Sequence, residues 1–184
     1  MNKKSGKFIV FMGFFVSLIS SIAGIFAGGV SSILSTISAF LLFAGFLMIF
    51  LADRKIVSFI IALGFGVSFI APLIWGISVS GGMVTSQTTV SLSGALQVIK
   101  ATTALMSVIS LVSTVAYILW AIRLFRTTPI GALAVIVSII LPLVIFILYP
   151  SSYTSVGILS LLISVISPLL RTFAAGRDYK SRRN

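Results

Sequence analysis

The sequence predicts an all-α, polytopic integral membrane protein: a six-helix bundle of three up-down helical hairpins with both termini in the cytoplasm. Of the 184 residues, 59% are apolar and only 8% are charged, whereas a soluble domain carries about 25% charged residues. Apolar stretches of about 18 residues or more, the length that crosses a bilayer as a helix, recur along the whole chain. Basic residues gather in alternate connecting segments, which is typical of membrane proteins with a defined orientation.

Six apolar stretches make up a single transmembrane domain over residues 1–184. The first stretch is too long for a signal peptide and further spans follow it, so we interpret it as a retained helix. The predicted spans are Phe8–Phe26, Ile33–Leu51, Ile56–Val79, Ala95–Ile122, Ile130–Tyr149 and Val156–Phe173.

Segments of turn composition separate the spans. Gly28-Gly29 and Ser31-Ser32 lie between the first two spans, and a charged triplet occupies residues 53–55. A Gly/Ser/Thr-rich stretch at 80–94 follows the third span. Pro129 stands where the fifth helix begins, a position at which a helix tolerates proline. Short connections make sequential helices antiparallel, which predicts the up-down hairpins.

The distribution of charge predicts the orientation. In the six-span arrangement every basic residue except Lys100 lies on one side, together with both acidic residues, Asp53 and Asp178. The opposite loops, 27–32, 80–94 and 150–155, carry no charge. Because basic residues are retained on the cytoplasmic side, we expect a multi-pass plasma membrane protein with cytoplasmic termini. The net charge of +11 therefore reflects orientation, and we expect no nucleic-acid partner.

Missing residue types argue against catalysis and cofactors. The chain has no Cys and no His, so disulfides, thiolate metal sites, haem ligation by His and a Ser-His-Asp triad are excluded. Neither acidic residue falls inside a span, which argues against a proton relay. The sequence contains no phosphate-binding glycine motif. We therefore expect a protein that is not an enzyme and binds no metal or cofactor.

The fourth span carries a polar face. Seven polar residues recur at spacings of three and four, which places them on one side of a helix. They form either a close helix–helix seam or the polar lining of a solute path, with Lys100 near the outer end and able to reach the interface. The residues are Gln97, Lys100, Thr103, Ser107, Ser110, Thr114 and Tyr117.

Small residues and prolines predict packing faces and kinks. In the first span the predicted packing residues are Gly13, Ser17, Gly24 and Gly28, the last two forming a GxxxG pair. In the third span they are Ser58, Ala62 and Gly66. Proline removes a backbone donor and can bend a helix, and the candidate kinks are Pro72, Pro142 and Pro168.

These patterns favour a non-catalytic subunit or scaffold of a larger membrane complex, of the respiratory or translocation type. Its expected partners are the lipid bilayer and other membrane subunits. The alternative is a channel or facilitator for a neutral or anionic small solute, lined by the polar face of the fourth span. A lipid-directed enzyme using Lys100 or a serine is a third hypothesis, with no motif to support it.

Overall fold

The structure, a computed structural model, describes residues 3–26, 28–85, 92–148 and 158–181. All regular elements in these residues are α-helices, which confirms the all-helical prediction. The helices are α1 (Lys3–Phe26), α2 (Gly28–Asp53), α3 (Ile56–Thr85), α4 (Leu92–Phe125), α5 (Pro129–Leu148) and α6 (Ile158–Lys180).

Four helical segments are long and apolar enough to cross a membrane. They are Lys3–Phe26, Val30–Asp53, Ile56–Ile74 and Lys100–Phe125. Within α5, the segment Pro129–Ile145 is apolar but shorter than these four. The prediction of a membrane protein with several spanning helices is supported by length and composition.

The helices extend beyond the predicted spans at several ends. Only residue 27 separates α1 from α2, and α3 continues to Thr85 before α4 begins at Leu92. The loop predicted at 80–94 is therefore shorter than expected. Glycine and serine disfavour helices in water, but in a bilayer the backbone must satisfy its own hydrogen bonds, which favours helix continuation.

Each helix packs against its neighbours in sequence, and α6 packs against α1. The six helices therefore form a closed ring of contacts, here called the helix ring. The closest approach is between α1 and α2, where glycines on both helices remove side-chain bulk. A Cβ on Gly45 would lie 2.7 Å from Val10 Cγ2, and one on Gly6 would lie 3.0 Å from the Gly45 carbonyl oxygen.

An aromatic core occupies the middle of the helix ring. Phe14 stacks on Trp120 with ring centroids 4.7 Å apart, and Phe46 stacks on Phe65 at 5.4 Å. The Tyr117 ring meets Phe65 edge-on at 5.2 Å. Since α1 and α4 are not neighbours in the ring, the contact between Phe14 and Trp120 crosses its centre. At this level side chains of the described helices fill the centre.

The outward surface is apolar on every helix. Large side chains such as Ile37, Ile60, Leu111, Ile140 and Leu169 are each more than 40% exposed. A water-soluble monomer rarely exposes apolar patches of this extent. A lipid environment accounts for the surface.

The predicted packing residues divide into two groups. Gly13 is buried, and a Cβ there would lie 3.0 Å from the Leu42 side chain. The face Ser58, Ala62 and Gly66 of α3 is buried throughout, and Gly66 lies against the Phe43 ring.

The other predicted packing residues of the first span behave differently. Ser17 is half-buried and Gly24 is exposed. Gly24 and Gly28 of the predicted GxxxG pair lie in different helices, because α1 ends at Phe26 and α2 begins at Gly28. The chain reverses between the two glycines, so they cannot serve one helix surface together.

The three predicted kink prolines lie inside helices and do not end them. Pro72 is within α3, Pro142 within α5 and Pro168 within α6. The Thr172 hydroxyl lies 2.8 Å from the Pro168 carbonyl oxygen and 3.0 Å from the Phe14 carbonyl oxygen, which also joins α6 to α1.

Candidate functional site

Four helix ends meet in a layer of ion pairs. Asp53, which ends α2, accepts from Lys3 of α1 at 3.0 Å and from Arg123 of α4 at 3.0 Å. Asp178, near the end of α6, accepts from Lys7 of α1 at 2.8 Å. These five residues are here called the charged end. The N-terminal end of α1 and the C-terminal ends of α2, α4 and α6 therefore lie together.

The charged end carries an excess of positive charge. Lys55 and Arg126 line the same small cavity as its five residues, which gives five cationic groups against two carboxylates. Arg123 also donates to the Ser58 hydroxyl at 2.6 Å, which fixes the side chain between α4 and α3. The carboxylates of Asp53 and Asp178 thus both form ion pairs within the charged end.

The polar face of α4 divides in two. Toward the N-terminal end of α4, Lys100, Thr103, Ser107 and Ser110 are exposed, and they are here called the polar stripe. The Ser107 hydroxyl donates to the Thr103 carbonyl oxygen of its own helix at 2.9 Å. The side chain of Gln97 lies outside the described residues. Since the stripe is exposed, the described helices do not bury this part of the predicted face.

Toward the charged end the same face turns inward. Thr114 and Tyr117 are half-buried, and the Thr114 hydroxyl donates to the Ser110 carbonyl oxygen at 2.8 Å. Beside them, the Ser113 hydroxyl lies 2.7 Å from the Ser68 hydroxyl of α3. This hydroxyl pair joins α4 to α3, although Ser113 was not among the residues predicted for the polar face.

A cavity of about 440 Å³ opens between α4, α5 and α6, here called the α4–α6 cavity. Its polar side is made of hydroxyls and one guanidinium, and its apolar side comes from α5. The lining residues are Ser110, Ser113, Thr114, Tyr117, Ser138, Ile139, Pro142, Leu143 and Arg171.

Arg171 is the charged residue of this cavity, and the sequence patterns did not predict it as a site residue. Its Nε donates to the Ser138 hydroxyl at 3.0 Å, and its guanidinium carbon lies 4.0 Å from the centroid of the Tyr117 ring. Ser138 is fully buried and its hydroxyl donates to the Val135 carbonyl oxygen at 2.7 Å. One hydrogen bond and one cation–π contact therefore hold the guanidinium in place.

The sequence position of Arg171 could have identified it as a candidate site residue. Charge counting groups it with the basic tail, but it precedes Asp178 by seven residues, about 10 Å along a helix. Leu169 and Leu170 precede Arg171 directly, and Phe173 and Ala174 lie two and three residues after it. A single arginine inside an apolar helix differs from a terminal basic cluster, and this difference is visible in the sequence.

Comparison of the chain with protein-family models, with curated proteins and with solved structures finds no match. In the α4–α6 cavity the hydroxyls of Ser113, Thr114 and Ser138 already donate to backbone carbonyl oxygens. The donors that remain for an anion or a hydroxyl-bearing group include the Ser110 hydroxyl and the Arg171 guanidinium.

Proposed function

We propose that the protein is a non-catalytic integral membrane subunit or scaffold of a larger membrane complex, of the respiratory or translocation type, in the plasma membrane. The observation that carries this proposal is the polar stripe. It lies on α4, whose segment Lys100–Phe125 is long and apolar enough to cross a membrane, and the rest of the described chain leaves it exposed.

A polar stripe facing lipid favours contact with another membrane helix. Small hydroxyl residues allow two backbones to approach closely and can hydrogen-bond across the interface. Ser107 and Ser110 provide such a surface, with the large apolar side chains Val108 and Leu111 exposed beside it. Lys100 at the outer end adds a positive charge that a partner's carboxylate or a lipid headgroup can neutralise.

The test is affinity purification of the tagged protein from its native host in mild detergent, with mass spectrometry of the associated proteins. We expect stoichiometric membrane partners, and we expect the triple variant T103L/S107L/S110L to lose them. The control A101L/A104L places leucines on other exposed positions of the same helix and should retain them. Partners that survive the stripe variant, or no partner at all, would refute the proposal.

The proposed topology is three up-down hairpins with both termini cytoplasmic. It is supported by the ion pairs that join the ends of α1, α2, α4 and α6 at one end of the protein. It is also supported by the uncharged opposite loops.

Single cysteines test this topology without background, since the chain has none. An impermeant maleimide applied to intact cells should label Ser86→Cys, which lies in the uncharged segment between the third and fourth spans. The same reagent should label Ser5→Cys and Ser181→Cys only after permeabilisation. The reverse pattern would overturn the orientation, and labelling of Ser5→Cys without Ser181→Cys would overturn the even number of spans.

The second candidate function is a channel or facilitator for a neutral or anionic small solute. It is favoured by Ser110, Thr114 and Tyr117, which line the α4–α6 cavity. Since the aromatic core fills the centre of the helix ring, a solute would have to pass along α4, α5 and α6 instead. Solute flux into liposomes should then fall in S110L/T114L and persist in the neighbouring control V115L; equal flux in both variants would exclude this lining.

A further inference from the structure

Arg171 places a positive charge in α6 without a partner among the chain's acidic side chains. The chain has two acidic residues, and both are engaged elsewhere: Asp53 with Lys3 and Arg123, and Asp178 with Lys7. A charge at membrane depth is costly unless something neutralises or solvates it. A counter-charge for Arg171 therefore has to come from outside these acidic side chains.

The Arg171 guanidinium is held in place, but only some of its N–H groups have a hydrogen-bond acceptor. Its Nε is bonded to Ser138, and the Tyr117 ring covers one of its faces. In the described part of the protein the terminal Nη1 and Nη2 atoms have no hydrogen-bond acceptor. These two nitrogens carry four of the five guanidinium N–H groups. A held guanidinium with two adjacent free nitrogens matches the geometry of two parallel oxygens.

The α4–α6 cavity has the size and lining of a small-ligand site. Its volume of about 440 Å³ falls within the range of pockets that enclose organic ligands. Beside Arg171, the Ser110 hydroxyl provides a further donor, whereas the Thr114 hydroxyl already donates to the Ser110 carbonyl oxygen. Opposite them, Ile139 and Leu143 of α5 provide an apolar wall, and Leu143 is itself 55% exposed at the outer surface.

We propose that the α4–α6 cavity binds an anionic oxygen group, a carboxylate or a phosphate, through a two-oxygen contact with Nη1 and Nη2 of Arg171. The apolar wall accepts the adjoining hydrocarbon when the anion belongs to a membrane amphiphile. A small anion from water uses the same polar contacts without that wall. This binding site does not depend on the subunit function proposed above, which rests on the polar stripe; Ser110 is the one residue that the stripe shares with the cavity.

The test measures the thermal unfolding midpoint of the full chain in a nonionic detergent during titration with defined probes. The probes are decanoate, acetate, inorganic phosphate and, as an uncharged control, decanol. A ligand that binds the folded state raises the midpoint in a saturable manner. We expect decanoate to do so with the wild-type protein, and decanol to have no saturable effect.

Three variants assign the effect to the cavity. Arg171→Gln should weaken the apparent affinity for decanoate at least tenfold. Leu143→Trp should do the same by filling the cavity while leaving Arg171 in place, so the test survives if the arginine variant does not fold. Arg177→Gln, which removes an exposed charge from the same helix, should bind as the wild type does.

The probes also distinguish the source of the ligand. Arg171-dependent stabilisation by decanoate alone indicates an amphiphile that enters from the bilayer. Arg171-dependent stabilisation by acetate or phosphate as well indicates a small anion that enters from water. The proposal is overturned if no anion stabilises the wild type, if decanol acts as decanoate does, or if Arg171→Gln and Leu143→Trp both retain full affinity.

Discussion

Lys7 of α1 donates a hydrogen bond of 2.8 Å to the carboxylate of Asp178 in α6 and a second of 3.1 Å to the backbone carbonyl oxygen of the same residue. Both side chains are about nine-tenths buried, at 9% and 11% exposure. A buried ion pair contributes little net stability relative to apolar residues, but loss of one partner leaves an uncompensated charge. The pair therefore makes the contact between α1 and α6 sensitive to single substitutions.

Lys7→Met and Asp178→Asn should each lower the free energy of unfolding by about 3 kcal/mol, because each leaves a buried charge unpaired. The double variant K7M/D178N should cost clearly less than the two single changes added together. Unfolding by SDS titration in mixed micelles measures all three. Lys180→Met, at an exposed position of α6, is the control and should stay within about 0.5 kcal/mol of wild type. Additive losses would show that the two charges are not coupled.

Gly45→Ala should destabilise the protein by about 2 kcal/mol or more. The new Cβ would lie 2.7 Å from Val10 Cγ2 and 2.8 Å from the Val10 backbone nitrogen, so α1 and α2 must separate. The matched control is Gly24→Ala, where the nearest atom is the Ser31 hydroxyl at 3.1 Å, which can rotate away. SDS-titration unfolding should find the control near wild type. A stable Gly45→Ala protein would contradict the close approach of the two helices.

The neighbouring residues Phe14 and Phe15 separate core packing from lipid contact on one helix. Phe14 is 1% exposed and lies in the aromatic core, whereas Phe15 is 42% exposed. Phe14→Ala should cost about 3–5 kcal/mol because it leaves a cavity. Phe15→Ala should cost less than about 1 kcal/mol, since lipid can fill the vacated space. The comparison needs only thermal unfolding midpoints in one detergent, and equal midpoints would count against the described core.

Arg54→Gly should stabilise the turn between α2 and α3. Arg54 has a φ of 51°, in the left-handed region that costs a residue with a Cβ about 1 kcal/mol. Its backbone nitrogen closes α2 by donating to the Phe50 carbonyl oxygen at 2.6 Å, as expected for a left-handed helix end. Arg54→Ala is the control: it removes the same charge without relieving the backbone. A higher unfolding midpoint for glycine than for alanine is expected, and the reverse order would refute the strained turn.

The helices could be predicted from the sequence because hydropathy is a local property. The aromatic core could not, because Phe14, Phe46, Phe65 and Trp120 lie on four helices and only their packing brings them together. The pairing of Lys7 with Asp178 could not be predicted either, because only the packing of α1 against α6 brings the two residues together. Charge counting placed both residues on one side of the membrane but could not indicate which cation meets which carboxylate.

The polar face of α4 shows what the spacing of residues can predict and what it cannot. Spacing of three and four places Ser110, Thr114 and Tyr117 along one side of a helix, since that spacing follows from helix geometry alone. What faces that side depends on helix arrangement, which the spacing does not contain. Arg171, which lines the same cavity, comes from α6. When only charge is considered, it is grouped with the basic residues at the C-terminal end.

The distance in sequence between Lys7 and Asp178 has a consequence for synthesis. The two residues are 171 positions apart, and at 5–20 residues per second about 10–30 s separate their emergence from the ribosome. During that interval the ammonium of Lys7 has no carboxylate from α6, and it is held at the aqueous interface by hydration. The contact between α1 and α6 therefore has to wait until α6 has been made, whereas the contact between α1 and α2 involves helices that are made first.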